Sequence, residues 1–212
     1  MSEYKSEFKT EQEQFWAGEF GNEYLVRNRG NALVSGDLRL FSSILASCGK
    51  IGSVIEFGAN IGLNLVALRQ LLPAAELSAI EINETAAAAL RELGGIKVYH
   101  QSILDFVPDT PRDLAFTKGV LIHINPDMLP EVYQRLYRSS SRYICVAEYY
   151  NPRPVEVAYR GHEGRLFKRD FAGELLDMFT DLRLVDYGFS YHRDNNFAQD
   201  DINWFLLEKT GR

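Results

Sequence analysis

Cysteine is scarce. Cys48 and Cys145 are the only two in 212 residues and lie far apart. That excludes a disulfide-stapled scaffold, and no paired spacing points to a structural zinc or any other metal site. Both thiols read as buried small hydrophobes in a reducing compartment. Long hydrophobic runs are missing too: none reaches the roughly 20 residues of a membrane-spanning helix. Met1 to Gln14 is polar and charged, unlike a secretory signal, so a cytoplasmic protein with no membrane partner is expected. Positive charge is in deficit, with 23 Lys plus Arg against 29 Asp plus Glu and a net charge of −6. Broad electrostatic binding to nucleic acid or anionic lipid is therefore not expected, and only a local basic patch remains open. Repeats and low-complexity linkers are also lacking.

What is present suits one α/β domain: 46% of the residues are hydrophobic and 25% charged, enough to bury a core. The first fifty residues read as a helical extension: a helix over 6–17 ended near Gly18, a short helix and loop over 20–31, and a helix capped at Gly36-Asp37. From Ile51 strands and helices alternate. Strands are expected over 51–57, 76–82, 96–100, 114–118 and 143–148. Helices follow over 63–72, 83–93 (capped by Asn83), from Asn125-Pro126, and over 170–178. Two last strands, 182–189 and 203–208, are too close for a crossover helix, so one terminal strand runs antiparallel. The expected fold is a Rossmann-like, doubly wound, mostly parallel seven-stranded sheet spanning 51–212, with residues 1–50 packed on it. Right-handed crossovers put the ligand crevice at the carboxyl ends of the first and fourth strands.

The chemistry is concentrated in Glu56-Phe57-Gly58-Ala59-Asn60-Ile61-Gly62. Glycines at a strand-to-helix turn let the backbone approach a ligand closely, and Asn60 tolerates positive φ where a middle glycine is commoner. Glu81-Ile82 closes the second strand, with Glu81 placed to accept hydrogen bonds from ribose hydroxyls. This pattern fits a nicotinamide dinucleotide or S-adenosylmethionine, and Glu56 separates them. A carboxylate about 5 Å from a pyrophosphate oxygen costs about 3 kcal/mol at an effective dielectric of about 20, whereas it favours an ammonium and a sulfonium. The sign of the charge points to S-adenosylmethionine. On that reading Ser102 meets the adenine edge and Ile103 its face, with Asp105 a turn cap. The backbone of Lys118-Gly119-Val120 holds the amino-acid end, and Lys118 needs a carboxylate partner or must turn away.

These residues resemble the class I S-adenosylmethionine-dependent methyltransferases. A closer resemblance is to the methylases associated with pseudaminic acid biosynthesis. It is carried by Phe15-Trp16-Ala17-Gly18-Glu19-Phe20-Gly21, Lys118 through Pro126, Ala147 through Pro152, Tyr159 through Phe171 and Gln199-Asp200-Asp201. The resemblance implies methylation of a small molecule in nonulosonic-acid or surface-glycan metabolism.

The stretch from Tyr149 to Asp170 is long for a connection, and such loops tend to be functional. Arg160, Arg165 and Lys168, with Tyr150 and Tyr159, suit a small anionic acceptor such as a sugar acid or nucleotide sugar; the alternative is a solvated loop whose arginines pair with its own acids. His123, Glu148, Tyr149 and His162 are the candidates for removing a proton or orienting the acceptor, with a backbone-satisfying histidine and a buried ion pair as the structural alternatives for the first two. His100 and His192 read as surface or packing residues. Trp16, Phe20 and Tyr24, with Arg27 and Arg29, are placed either to cover the cofactor as a lid or to pack outside the sheet. A nicotinamide-dependent oxidoreductase and a non-catalytic cofactor-binding module are the competing functions, and oligomeric state is not legible.

Overall fold

Short strands alternating with helices over most of the chain set the frame. The computed structural model describes residues 8–27 and 31–211. In chain order the elements are α1 (Glu11–Ala17), α2 (Glu19–Arg27), α3 (Asn31–Ala46), β1 (Ser53–Phe57), α4 (Leu63–Leu71), β2 (Glu76–Glu81), α5 (Glu84–Glu92), β3 (Ile96–His100), β4 (Arg112–Lys118), α6 (Leu129–Ser139), β5 (Ser140–Glu148), β6 (Val155–Glu156), β7 (Phe167–Lys168), α7 (Phe171–Met178), β8 (Leu182–Ser190) and β9 (Ile202–Lys209). The main sheet has seven strands in the order β3-β2-β1-β4-β5-β9-β8. β1 to β5 pair in parallel, and β9 runs antiparallel to both neighbours. The mostly parallel sheet with one antiparallel strand is thus as expected, but β9 is not at the edge. It slots between β5 and β8.

The sheet is covered on both faces. One core joins Val54, Leu77, Phe116 and Leu206 to Phe41 and Ile44 of α3, Leu65 and Leu68 of α4, and Leu90 of α5. The other joins Ile55, Phe57, Ile144 and Leu207 to Val132 and Leu136 of α6 and Leu175 of α7. β1, buried on both faces, places Val54, Ile55 and Phe57 in these cores. Helix ends follow the sequence signals: Asn83 accepts from Ala86 N at α5, Asp170 accepts from Gly173 N at α7, and Gly18 ends α1. Asn125-Pro126 opens a single 3₁₀ turn before α6 begins.

The first fifty residues split into two roles. α3 packs against the sheet, whereas residues of α1 and α2 line the cavity described below. The expected cap at Gly36-Asp37 is corrected, because α3 runs through both residues. A Cβ on Gly36 would meet Gln199 Nε2 at 2.5 Å, so glycine there admits the β8–β9 loop, and the Asp37 carboxylate turns to partners other than its own helix. Arg29 and the start of the first helix at Ser6 lie outside the described residues.

Candidate functional site

At the point where strand order reverses, between β1 and β4, a cavity of about 350 Å³ opens at the carboxyl ends of the strands. Its floor is the turn after β1. Gly58, Asn60 and Gly62 all take positive φ, at 74°, 51° and 83°, as the turn chemistry anticipates. Glycine at 58 is demanded also by packing: a Cβ there would meet Val120 Cγ2 at 2.7 Å. Gly119, with φ 65°, is different, since an added Cβ meets nothing within 4 Å.

Glu81 lines this cavity at 7% exposure. Its oxygens accept from Asn60 N at 2.7 Å and Asn83 N at 2.8 Å, which ties the floor of the turn to the end of β2. Burial raises its carboxyl above the ordinary range, against those donors. Two carboxylate oxygens offer about four acceptor positions, so capacity remains for a diol.

Glu56 departs from expectation. It is fully buried and stands behind the cavity wall rather than in it. One oxygen accepts from Asn64 Nδ2 at 2.5 Å, and the other has no hydrogen-bond partner among the described residues. Burial pushes its carboxyl well above the usual value; the Asn64 hydrogen bond and Lys118 act in the opposite direction. The charge argument that favours a sulfonium therefore rests on a group whose ionisation its surroundings oppose. Asn64 is what lines the cavity in its place.

The negative charge lining the floor comes instead from the buried Asp37, which sequence reading treats as a cap. Its carboxylate lies 2.8 Å from Lys118 Nζ and accepts from Gln199 Nε2 at 3.0 Å. Lys118 thus has the carboxylate partner it needs. Gly119, Val120, Ile82, Ser102 and Ile103 also line the cavity. The Ser102 hydroxyl, however, donates to Glu13 of α1 and accepts from Leu104 N at 2.9 Å. Asp105 pairs with Lys9 at 2.7 Å rather than capping its turn.

The roof is the N-terminal segment. Gln12, Glu13, Trp16, Gly21, Tyr24 and Leu25 all line the cavity. Glu13 closes a capping box with Thr10 while its other oxygen takes the Ser102 hydroxyl. Asn83 Nδ2 donates to the carbonyl oxygens of Trp16 and Ala17, at 3.3 and 3.4 Å, and to Asn22 Oδ1 at 2.9 Å. Of the three aromatics singled out from the sequence, Trp16 and Tyr24 line the cavity, whereas Phe20 stacks on Phe15 outside it. From the opposite side, the β8–β9 loop contributes His192, Gln199 and Asp200.

His123 lines the cavity, flanked by Trp16 with ring centroids 4.6 Å apart and by Tyr159 at 4.9 Å. Its Nδ1 lies 2.6 Å from the Arg165 carbonyl oxygen. A carbonyl only accepts, so Nδ1 carries the proton and Nε2 keeps its lone pair. Burial brings its pKa down to about 4, which keeps the ring neutral at physiological pH.

The remaining acceptor-side expectations are redistributed. Glu148 is buried and does not line the cavity: its oxygens accept from Val120 N and Leu121 N at 3.0–3.1 Å, fastening the turn that carries His123. Burial raises its pKa to about 7. Tyr149 packs between the two cores, and burial pushes its hydroxyl up. Tyr150 sits outside the cavity against Phe205. Tyr159 backs His123 and Trp16, and His162 is exposed against Phe15 and Phe20. Arg160, Arg165 and Lys168 do not line the cavity either. Arg165 holds α1 through Glu11 at 3.2 Å and lies over the Phe15 ring; Arg160 lies over Tyr159, and Lys168 over Tyr149. Of the three, only Arg165 reaches the roof. Among the described residues, the cavity's carboxylates are Glu13, Asp37, Glu81 and Asp200, against the single lysine Lys118.

The sequence matches no protein-family model and no curated protein. Solved structures do match across nearly the whole chain. The 1,6-didemethyltoxoflavin-N1-methyltransferase of Burkholderia thailandensis, bound to S-adenosylhomocysteine, superposes with a TM-score of 0.68 at 14% identity, over 94% of this chain and 87% of that one. The plantazolicin methyltransferase BpumL superposes at 0.65 and 15% identity, over 93% of both chains. The amino pentose methyltransferase of calicheamicin biosynthesis from Micromonospora echinaspora superposes at 0.63 and 10% identity, over 90% of this chain and 96% of that one. The fold is that of S-adenosylmethionine-dependent methyltransferases. No described helix is long and apolar enough to cross a membrane, and no group of three His, Cys, Asp or Glu among the described residues is arranged to hold a metal.

Proposed function

We propose that the chain is an S-adenosylmethionine-dependent methyltransferase acting on a small molecule. The observation that carries this is the pairing of two features in one cavity: Glu81 at the end of β2, with acceptor capacity left for a ribose diol, and the buried Asp37–Lys118 pair on the floor beside Gly119. A carboxylate and an ammonium side by side complement the zwitterionic amino-acid end of the cofactor, Asp37 toward its ammonium and Lys118 toward its carboxylate. Gly119 leaves room above the β4 backbone. These residues fit the group. When bound, it would supply an electrophilic methyl on a sulfonium.

The chain's own contribution is alignment and exclusion of water. α1 and α2 roof the cavity, held there by Ser102 and Asn83. His123, neutral and with Nε2 unprotonated, orients the acceptor or takes its proton. Glu148 holds the turn that positions His123. The finer reading, an acceptor from nonulosonic-acid or surface-glycan metabolism, is supported by the resemblance of residues 15–21, 118–126, 147–152 and 159–171. Asp200, the cavity carboxylate that neither the cofactor reading nor the α1 cap uses, favours a neutral or amino-bearing member of that class over a sugar acid. The amino pentose methyltransferase of calicheamicin biosynthesis, which shares the fold, supports an amino-bearing sugar.

Calorimetry with S-adenosylmethionine and S-adenosylhomocysteine tests the reading, followed by mass spectrometry of candidate sugars incubated with labelled cofactor. Saturable binding of both ligands and a gain of one methyl are expected. Tight NADH binding with silence toward both would make the protein an oxidoreductase. Binding without any methylated product would make it a cofactor-binding module.

A further inference from the structure

On the inner face of α1, Gln12 and Trp16 stand four residues apart and so lie one above the other; both line the cavity. Gln12 Nε2 donates to the Gly164 carbonyl oxygen at 2.9 Å. That contact sets the amide's orientation, because a carbonyl cannot donate. The amide oxygen, left over, is buried and has no partner among the described residues. The indole N–H of Trp16 is in the same condition. A buried acceptor and a buried donor without partners are costly, and each asks for an explanation.

Where α1 sits gives one. Its start is stitched to the loop after β3 through Glu13 and Ser102, beside Ile103. Its end is stitched to Asn83, two residues beyond Glu81. With the ribose at Glu81 under the proposed function, on which this step rests, these two ties lay α1 along the side of the cavity where the adenine would extend toward Ser102 and Ile103.

We infer that α1 reads the adenine base: the Gln12 amide oxygen accepts from the exocyclic amine, and the Trp16 indole N–H donates to a ring nitrogen. Both groups are fixed in role. With its nitrogen held by Gly164, Gln12 offers only an acceptor, and an indole offers only a donor. Hypoxanthine, which carries a carbonyl where adenine carries the amine, sets oxygen against oxygen at Gln12. Base identity is thus checked by the roof of the site, and a correct base holds the roof down.

The full chain is titrated calorimetrically with S-adenosylhomocysteine and with S-inosylhomocysteine. Native protein is expected to prefer the adenosyl ligand by about tenfold or more, the scale of one buried hydrogen bond lost together with an unpaired partner. Gln12→Leu is expected to lower adenosyl affinity by about tenfold and leave inosyl affinity unchanged, so that the preference collapses; Trp16→Phe, which keeps the ring, is expected to weaken adenosyl binding. Gln12→Met serves if the leucine variant does not fold. Equal loss for both ligands in the Gln12 variants means that Gln12 only anchors α1 through Gly164, and overturns the inference. So does an unchanged preference. Native protein that binds neither ligand removes the cofactor reading itself.

Discussion

Asp37 and Lys118 lie 2.8 Å apart with side chains only 3% and 15% exposed, one on α3 and the other at the end of β4. Breaking such a pair from one side leaves the other charge buried and unmatched, which costs about 3 kcal/mol or more. Asp37→Asn is therefore expected to lower stability by about that amount in urea titrations, and to weaken S-adenosylhomocysteine binding as well. The double variant Asp37→Asn/Lys118→Met removes both charges. It should recover most of the stability and none of the affinity; recovery of both would show that the pair is structural alone.

Glu81 holds two backbone N–H groups as well as facing the cavity. Glu81→Ala is expected to weaken cofactor binding by about 1–3 kcal/mol, the scale of leaving buried partners unmade. The same variant should lose stability, since Asn60 N and Asn83 N lose their acceptor. Glu81→Gln keeps one acceptor oxygen and should fall between. An unchanged dissociation constant in the alanine variant would move the ribose elsewhere.

Two buried groups give opposite pH signatures. Glu148, raised to about 7, binds its proton more tightly folded than unfolded. Its contribution is complete below its unfolded value near 4.5 and is lost as pH rises through 7. His123, lowered to about 4, contributes above its unfolded value near 6.5 and loses that contribution as pH falls toward 4. Between these limits the two slopes oppose, each worth about 3 kcal/mol overall. Stability measured from pH 4 to 8 should therefore rise more steeply with pH in Glu148→Gln than in the native chain, and fall more steeply in His123→Asn. Identical profiles for native and variants would place both shifts outside the folding equilibrium. His123→Asn should also lower kcat while leaving S-adenosylhomocysteine affinity within about twofold, the margin expected of a group that meets the acceptor rather than the cofactor.

Glycines of the floor separate packing from ligand space. Gly62→Ala places a Cβ 2.6 Å from Leu90 Cδ2 at a φ of 83°, so a loss of stability larger than strain alone is expected. At Gly119 only the left-handed backbone opposes a side chain. Gly119→Ala should cost about 1–2 kcal/mol in stability and reduce cofactor affinity by filling the cavity. Full affinity in that variant would place the ligand away from β4.

Much of the fold was legible because β1 to β5 are apolar runs punctuated by Gly, Pro and Asn, and such local signals survive in any context. Asn60 at positive φ, Asn83 as a cap and Glu81 on the crevice follow from turn and strand chemistry. Asp37 was not legible. Gly-Asp is a local helix-start signal, whereas its actual partners, Lys118 and Gln199, are brought to it only by tertiary packing. The basic loop misled for a related reason: composition records the charge of Arg160, Arg165 and Lys168 but not their direction, which Glu11 and the rings of Phe15, Tyr149 and Tyr159 decide. Glu56 shows the limit of charge arguments made from spacing, because a side chain one layer below the surface of a site meets its neighbours before it meets a ligand.

The insertion of β9 between β5 and β8 has a consequence for the nascent chain. Until residues 202–209 leave the ribosome, β5 lacks its second partner and β8 has nothing to pair with. Leu206 and Leu207 complete the two cores at the same moment. The sheet therefore cannot close until residues 202–209 have been made, and a chain stalled short of Ile202 exposes two unpaired strand edges to whatever chaperone or neighbour meets it first.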